Sequence, residues 1–273
     1  MLDGFFNRMY YGDPRKPDLK NENVKANRFK LFFTVLQVRF WQMIQLNLIY
    51  SVFWIPTIYL YFVLVTAVDN MKPEEFVAII PTMLLILIPC LTIAGPATAG
   101  VSYVLRKWAN DEHAWVWSDF KDALKENWKQ GLMMMLLNGI FIFLFYTNIQ
   151  FYSEMADKHG SLIYLTLMYF MIMLALLLGM MNMLIFPMIV TYRLKLRQII
   201  KNAFILTMIK LPIAFLVFLL VTALLVLTSS FFLGIPLVVI GFTITGLITA
   251  SYANWLFDKY INNRPASAAK EDK

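Results

Sequence analysis

The chain has 273 residues, 60% of them hydrophobic and 15% charged, with a formal net charge of +7 and one cysteine. That composition excludes an ordinary soluble domain, in which charged residues make up about a quarter of the chain, and a single thiol, Cys90, excludes an intrachain disulfide. The positive charge is confined to connections between long uncharged runs, so it reads as membrane topology, and no nucleic-acid partner is expected.

Residues 1–39 form a basic arm. Tyr11 to Pro17 is a polar break, followed by Phe29, Phe32, Phe33 and Leu36 at helical spacing with Lys25, Arg28 and Lys30 beside them, an amphipathic helix. No short apolar core ending in a small-residue cleavage site precedes the first long apolar run, so no secretory signal is expected. Uncharged runs follow at 40–68, 76–105, 131–153 and 161–192. The last run, Leu211 to Phe257, is 47 residues long. As one helix it would measure roughly 70 Å, about twice the hydrocarbon core of a bilayer, so it must turn back. Ser229, Ser230, Gly234 and Pro236 supply the break, giving spans at 211–230 and 235–257. The fold class is therefore all-α, a polytopic membrane bundle of six spans over 40–257, with cytoplasmic interfacial helices and a short tail at 258–273.

Orientation follows from Lys and Arg in the connections. The arm carries eight, the 106–130 and 193–210 connections five each, and the tail four, while the alternate loops hold only Lys72 and Lys158. Both termini are expected in the cytoplasm of a cell whose plasma membrane holds the protein.

None of the six spans contains Asp, Glu, Lys, Arg or His between its ends, which removes the usual means for a proton relay. His113 and His159 fall on opposite sides, so they share no metal within one protomer, and no metal or cofactor is expected. No P-loop, Ser/His/Asp arrangement or HExxH occurs. An enzyme is not expected.

The second span is unusual. Pro81, Pro89 and Pro96 each remove a backbone donor, so a kink or unwound stretch is expected around 89–96, with Thr92 and Thr98 placed to satisfy freed carbonyls. One reading is a broken-helix binding site near the midplane, formed by Thr92, Gly95, Pro96 and Thr98 with Asn182 of the fourth span, for a neutral solute. The other is a kinked helix whose small residues permit close packing. A re-entrant second span is a further alternative. Gln45, Asn47, Asn138, Asn148 and Asn182 are expected to face the bundle interior, and the 17 methionines to be adaptable packing.

Two connections resemble each other. Residues 120–128 align without gaps on 196–204, with apolar, basic and aromatic positions in phase. In the first, Trp117, Phe120, Leu124 and Trp128 share a helical face, Ser118 is placed as N-cap, and Lys121 and Lys125 lie elsewhere. In the second, Leu196, Ile200, Ala203 and Phe204 oppose Arg193, Arg197 and Lys201. Both read as helices in the inner interface, with cations near anionic lipid. They are equally readable as docking elements for a cytoplasmic partner.

Residues 88–100 (Ile-Pro-Cys-Leu-Thr-Ile-Ala-Gly-Pro-Ala-Thr-Ala-Gly), then Tyr103 to Trp108, Val116 to Phe120 and Leu124 to Gln130, together resemble the signature of the YesL-like family, bacterial integral membrane proteins that form a domain of unknown function. In compact members the segment similar to Leu46 through Pro56 runs almost directly into the threonine–glycine motif. Here a longer stretch with Pro81 and an outer loop at 69–75 intervenes. The resemblance implies no reaction and no catalytic residues. It implies an association with carbohydrate uptake, since members are often encoded beside such systems. The expectation is a non-enzymatic accessory component whose partners are the bilayer and subunits of a carbohydrate ABC transporter, with Trp117, Phe120, Lys125, Trp128, Arg193, Arg197 and Lys201 at the interface. The alternative is a small permease for a neutral solute. A homo-oligomer is compatible with either.

Overall fold

The computed structural model describes residues 28–231 and 234–262. The polar break at 11–17, Lys25 and tail residues 263–273 lie outside the described residues. Among the described residues the regular structure is all helix, joined by short turns. The order is α1 (Arg28–Val38), α2 (Phe40–Asn70), α3 (Pro73–Trp108), α4 (Val116–His159), α5 (Leu162–Thr191), α6 (Leu196–Ile209) and α7 (Leu211–Ser230). A turn of π-helix (Leu237–Gly241) then leads into α8 (Phe242–Phe257), and a second π-turn (Asp258–Asn262) closes the described chain.

Among the described residues six helices are long and apolar enough to cross a membrane. The apolar window of α5 buries none of its residues inside the protein, and those of α3 and α7 bury only 6%. Such surface would be an aggregation hazard in water and is the expected lining toward lipid. The last span is the most enclosed, 44% buried, and occupies the middle of the bundle.

The chain connections gather at one end. Arg39 donates to the Glu112 carbonyl at 3.2 Å, Asn254 to the Arg106 carbonyl at 3.1 Å, and Gln130 to the Leu194 carbonyl at 2.9 Å. These contacts bring together the connections richest in Lys and Arg, and this is termed the basic end.

The second span departs from the unwound or broken alternative. It is one continuous 36-residue helix with Pro81, Pro89 and Pro96 inside it, neither unwound nor broken. Thr92 and Thr98 return their hydroxyls to the carbonyls of Ile88 and Ala94 one turn back, at 2.7 and 2.8 Å. At roughly 54 Å such a helix is long enough to cross a bilayer without re-entering.

The helix around Phe120 also differs. It does not end before the third span but runs on as the 44-residue α4, about 66 Å long. Nothing between 116 and 140 breaks it, since Gly131 is used for packing. A straight helix that spans at 131–153 cannot lie in the interface plane at 116–130. Its start also moves, because Trp115 is the N-cap residue and the Asp119 carboxylate accepts the Trp115 N–H at 2.8 Å, so Ser118 is not the cap.

α3 and α4 form the most extensive helix pair, packed antiparallel through small residues. Gly95 meets Gly131 backbone to backbone: a Cβ on Gly131 would lie 2.7 Å from the Gly95 carbonyl oxygen. Gly139 faces Ile88, and Gly100 lies under the Phe120 ring. These pairings fix relative depth. The charged, exposed residues Lys121, Asp122, Lys125, Glu126 and Lys129 of α4 lie basic-ward of Gly131. The hydrocarbon boundary therefore falls near Gly131, level with Gly95 on α3. The motif at 94–108 sits at or beyond that boundary, inside a buried cluster with Leu31, Val35, Met43, Val104, Trp108 and Phe120.

Candidate functional site

Four of the five residues assigned to a second-span site lie together on α3, but their polar groups are already engaged. Gly95 is filled by Gly131. Thr98 receives Tyr50 at 2.8 Å while its own proton points to the Ala94 carbonyl. Asn182 is elsewhere: it exchanges two hydrogen bonds with Asn138 of α4, at 2.9 and 3.1 Å, and joins α4 to α5. The stretch 92–100 contains a packing seam, because small residues let two backbones touch at Gly95 and Gly131.

One buried polar cluster does reach across the bundle. Asn47 is fully enclosed. Its amide nitrogen donates to the carbonyls of Leu237 and Val238, and its oxygen accepts the Thr243 N–H at 2.8 Å. Ser51 adds a bond to the Val238 carbonyl at 3.2 Å. A π-turn leaves ladder groups unmatched, and Asn47 takes the place of the missing partners. The sequence signal was an amide inside an apolar span, which calls for a partner but cannot say which.

The basic end carries exposed aromatic and charged side chains together. Trp117 is 60% exposed and Trp128 48% exposed, whereas Phe120 is 2% exposed and belongs to the core. Phe120 is therefore withdrawn from the interface set: Gly100 leaves room for its ring, and the ring fills it. Lys125, Arg193, Arg197 and Lys201 are exposed. Phe204, the counterpart of Trp128 in the 120–128/196–204 alignment, is also exposed, at 43%. Burial follows the alignment closely. Ala123 and Ile199 are both buried, Lys121 and Arg197 both exposed, and Lys125 and Lys201 both exposed. The two segments differ in their exits, since α4 runs straight on while the chain bends at Lys210 before α7.

Between them lies a cleft of about 780 Å³, lined by Tyr103, Glu126 to Gln130 and Ile189 to Lys195. The Lys129 ammonium sits 5.5 Å from the Trp128 ring centre. Tyr192 borders the cleft, and burial pushes its phenol up to about 12, with Asp258 reinforcing and Arg106 opposing the shift. On the other flank, Arg39 lies over the Trp108 ring at 5.6 Å, and burial lowers its pKa against the raising pull of Asp111. Among the described residues no three or more His, Cys, Asp or Glu side chains converge as metal ligands would.

No curated protein and no solved structure matches the chain. Residues 55–149 match the family model described as "Protein of unknown function, DUF624", a segment that takes in the second half of α2, all of α3 and most of α4. Over that segment the chain is similar to the YesL-like DUF624 membrane proteins, which bears out the resemblance read from residues 88–130.

Proposed function

We propose that this membrane protein is a non-enzymatic accessory component, held in the plasma membrane of a bacterial cell with its basic end in the cytoplasm, and that it docks a subunit of a carbohydrate uptake system there. The orientation rests on the Lys and Arg bias. The carbohydrate association rests on the family resemblance alone. The observation that carries the docking reading is the exposure of Trp117, Trp128 and Phe204 beside Lys125, Arg197 and Lys201. Trp and Arg are among the types enriched in binding hot spots. The permease alternative loses support, because Thr92, Thr98 and Asn182 spend their hydrogen bonds within the bundle.

The test is recovery of tagged protein from native membranes after brief crosslinking, followed by mass spectrometry. Stoichiometric carbohydrate-transporter subunits are expected with wild type and lost when Trp117, Trp128 and Phe204 are replaced together by Ala in a protein that still inserts. Equal recovery from both forms would overturn the docking reading.

A further inference from the structure

We propose that the cleft between the basic-end turns of α4 and the α5–α6 connector holds one phosphate-bearing anion, the headgroup of an anionic lipid in the adjoining leaflet. Three observations meet there. First, Lys129, Arg193 and Lys195 line the cleft and Glu126 is its single lining carboxylate, so positive charge prevails three to one. Second, neither of the ion pairs found among the described residues, Lys107–Asp119 and Lys158–Glu154, involves these three cations. Three exposed cationic groups lining one cleft repel one another, and an anion bound there offsets that repulsion. Third, the cleft begins one residue from Gly131, at the level where the uncharged part of α4 ends, and it takes in Thr191 and Tyr192, where the uncharged run of α5 ends. That is the depth of a lipid phosphate, with Trp128, Tyr103 and Tyr192 as the aromatic side chains expected at an interface.

The chemistry distributes naturally. Arg193 offers a planar fork to two phosphate oxygens, and Lys129 and Lys195 act as point charges beside it. α6 starts at Leu196 with Lys195 as its N-cap residue, so its positive end adds to the same edge. Gln130 and Asn127 are committed to the Leu194 and Ala123 carbonyls, and they shape the wall rather than the ligand contacts. The site shares Trp128 with the docking reading, but the two are tested apart, because its three cations are not among the residues replaced in the docking test.

The experiment is native mass spectrometry of the full chain released from detergent after equilibration with phosphatidylglycerol or phosphatidylcholine, repeated with inorganic phosphate and glycerol phosphate as competitors. One retained phosphatidylglycerol per chain is expected, preferred over phosphatidylcholine by about tenfold, and reduced by a similar factor in the Arg193→Gln/Lys195→Gln double variant. Lys72→Gln, at the opposite end, is expected to retain it as wild type does. Failure of the soluble phosphates to compete assigns the site to lipid. Competition by either one keeps the phosphate site but overturns its assignment to lipid in favour of a soluble phosphate. Equal retention of the two lipids, no retention, or a double variant that behaves as wild type would overturn the proposal.

Discussion

Asn47 holds Leu237: its amide nitrogen lies 2.9 Å from the Leu237 carbonyl oxygen across 190 residues of chain, while its own oxygen takes the Thr243 N–H. One side chain thereby closes the helix ladder at the π-turn and pins the last span to α2. Asn47→Leu, close in volume but without polar atoms, leaves two carbonyls and one N–H without that partner. The expected cost is about 2–4 kcal/mol, read as a lower unfolding midpoint in detergent. A variant that melts with wild type would show that the turn satisfies itself by other means.

The contact between Gly95 and Gly131 makes a graded prediction. Gly131→Ala drives a methyl into the Gly95 carbonyl, at 2.7 Å, and neither backbone can yield cheaply. A loss of roughly 1–3 kcal/mol is expected. Gly139→Ala meets Ile88 at 3.1 Å and should cost less. Thermal melts of the two variants side by side give the order, and the reverse order would remove the seam as the reason for these glycines.

Asn138 and Asn182 form a reciprocal pair, so their effects should not add. Replacing either by Leu leaves the other's amide oxygen without its partner, although Asn182 keeps its bond to the Leu178 carbonyl at 3.1 Å, and replacing both removes the mismatch. A double-mutant cycle is expected to show coupling of about 1 kcal/mol. Additive losses would mean that each amide is supported independently.

Burial separates Phe120 from its aromatic neighbours. Phe120→Ala empties a core position and should lower stability by about 3 kcal/mol. Trp117→Ala and Trp128→Ala should leave the melting midpoint within about 0.5 kcal/mol of wild type, as changes at exposed positions usually do. Comparing the three melts separates a partner surface from a packed one.

Tyr192 carries a pH signature. Its phenol sits at about 12 in the fold, above the ordinary value of 10. Below pH 10 both folded and unfolded chains keep the proton, and the stabilisation is complete. Between 10 and 12 the unfolded chain has released it and the folded chain has not, so stability falls as pH rises through that window. Tyr192→Phe should flatten this part of the alkaline unfolding curve, and an unchanged slope would assign it to other tyrosines.

Much of the architecture was legible because lipid imposes a simple rule: runs without charge must cross, and charged connections mark their ends. The rule reaches helix existence and misses helix continuity. Three prolines in α3 predict a break, yet neighbouring helices and the Thr92 and Thr98 hydroxyls hold the helix together. At 116–159 the change from charged to uncharged composition suggests two elements, while nothing in the backbone chemistry separates them. Phe120 looked like the third member of an aromatic face with Trp117 and Trp128. Only the position of Gly100, distant by 20 residues in sequence, shows that its ring points inward. The cleft at 126–130 and 189–195 joins segments too far apart for pattern reading, although Gln130 and Lys195 are both visible as polar residues at span ends.

The unbroken course of α4 has a mechanical consequence. Trp117, near one tip, and Lys158, near the other, belong to a single rod without a hinge. A partner that tips the Trp117 end by about 5° moves the far tip by roughly 6 Å if the rod pivots near that end. Since α3 is laid against this rod through backbone contact at Gly95, it is carried along. A displacement imposed on one end of α4 is therefore expected at its other end, carried by a single helix.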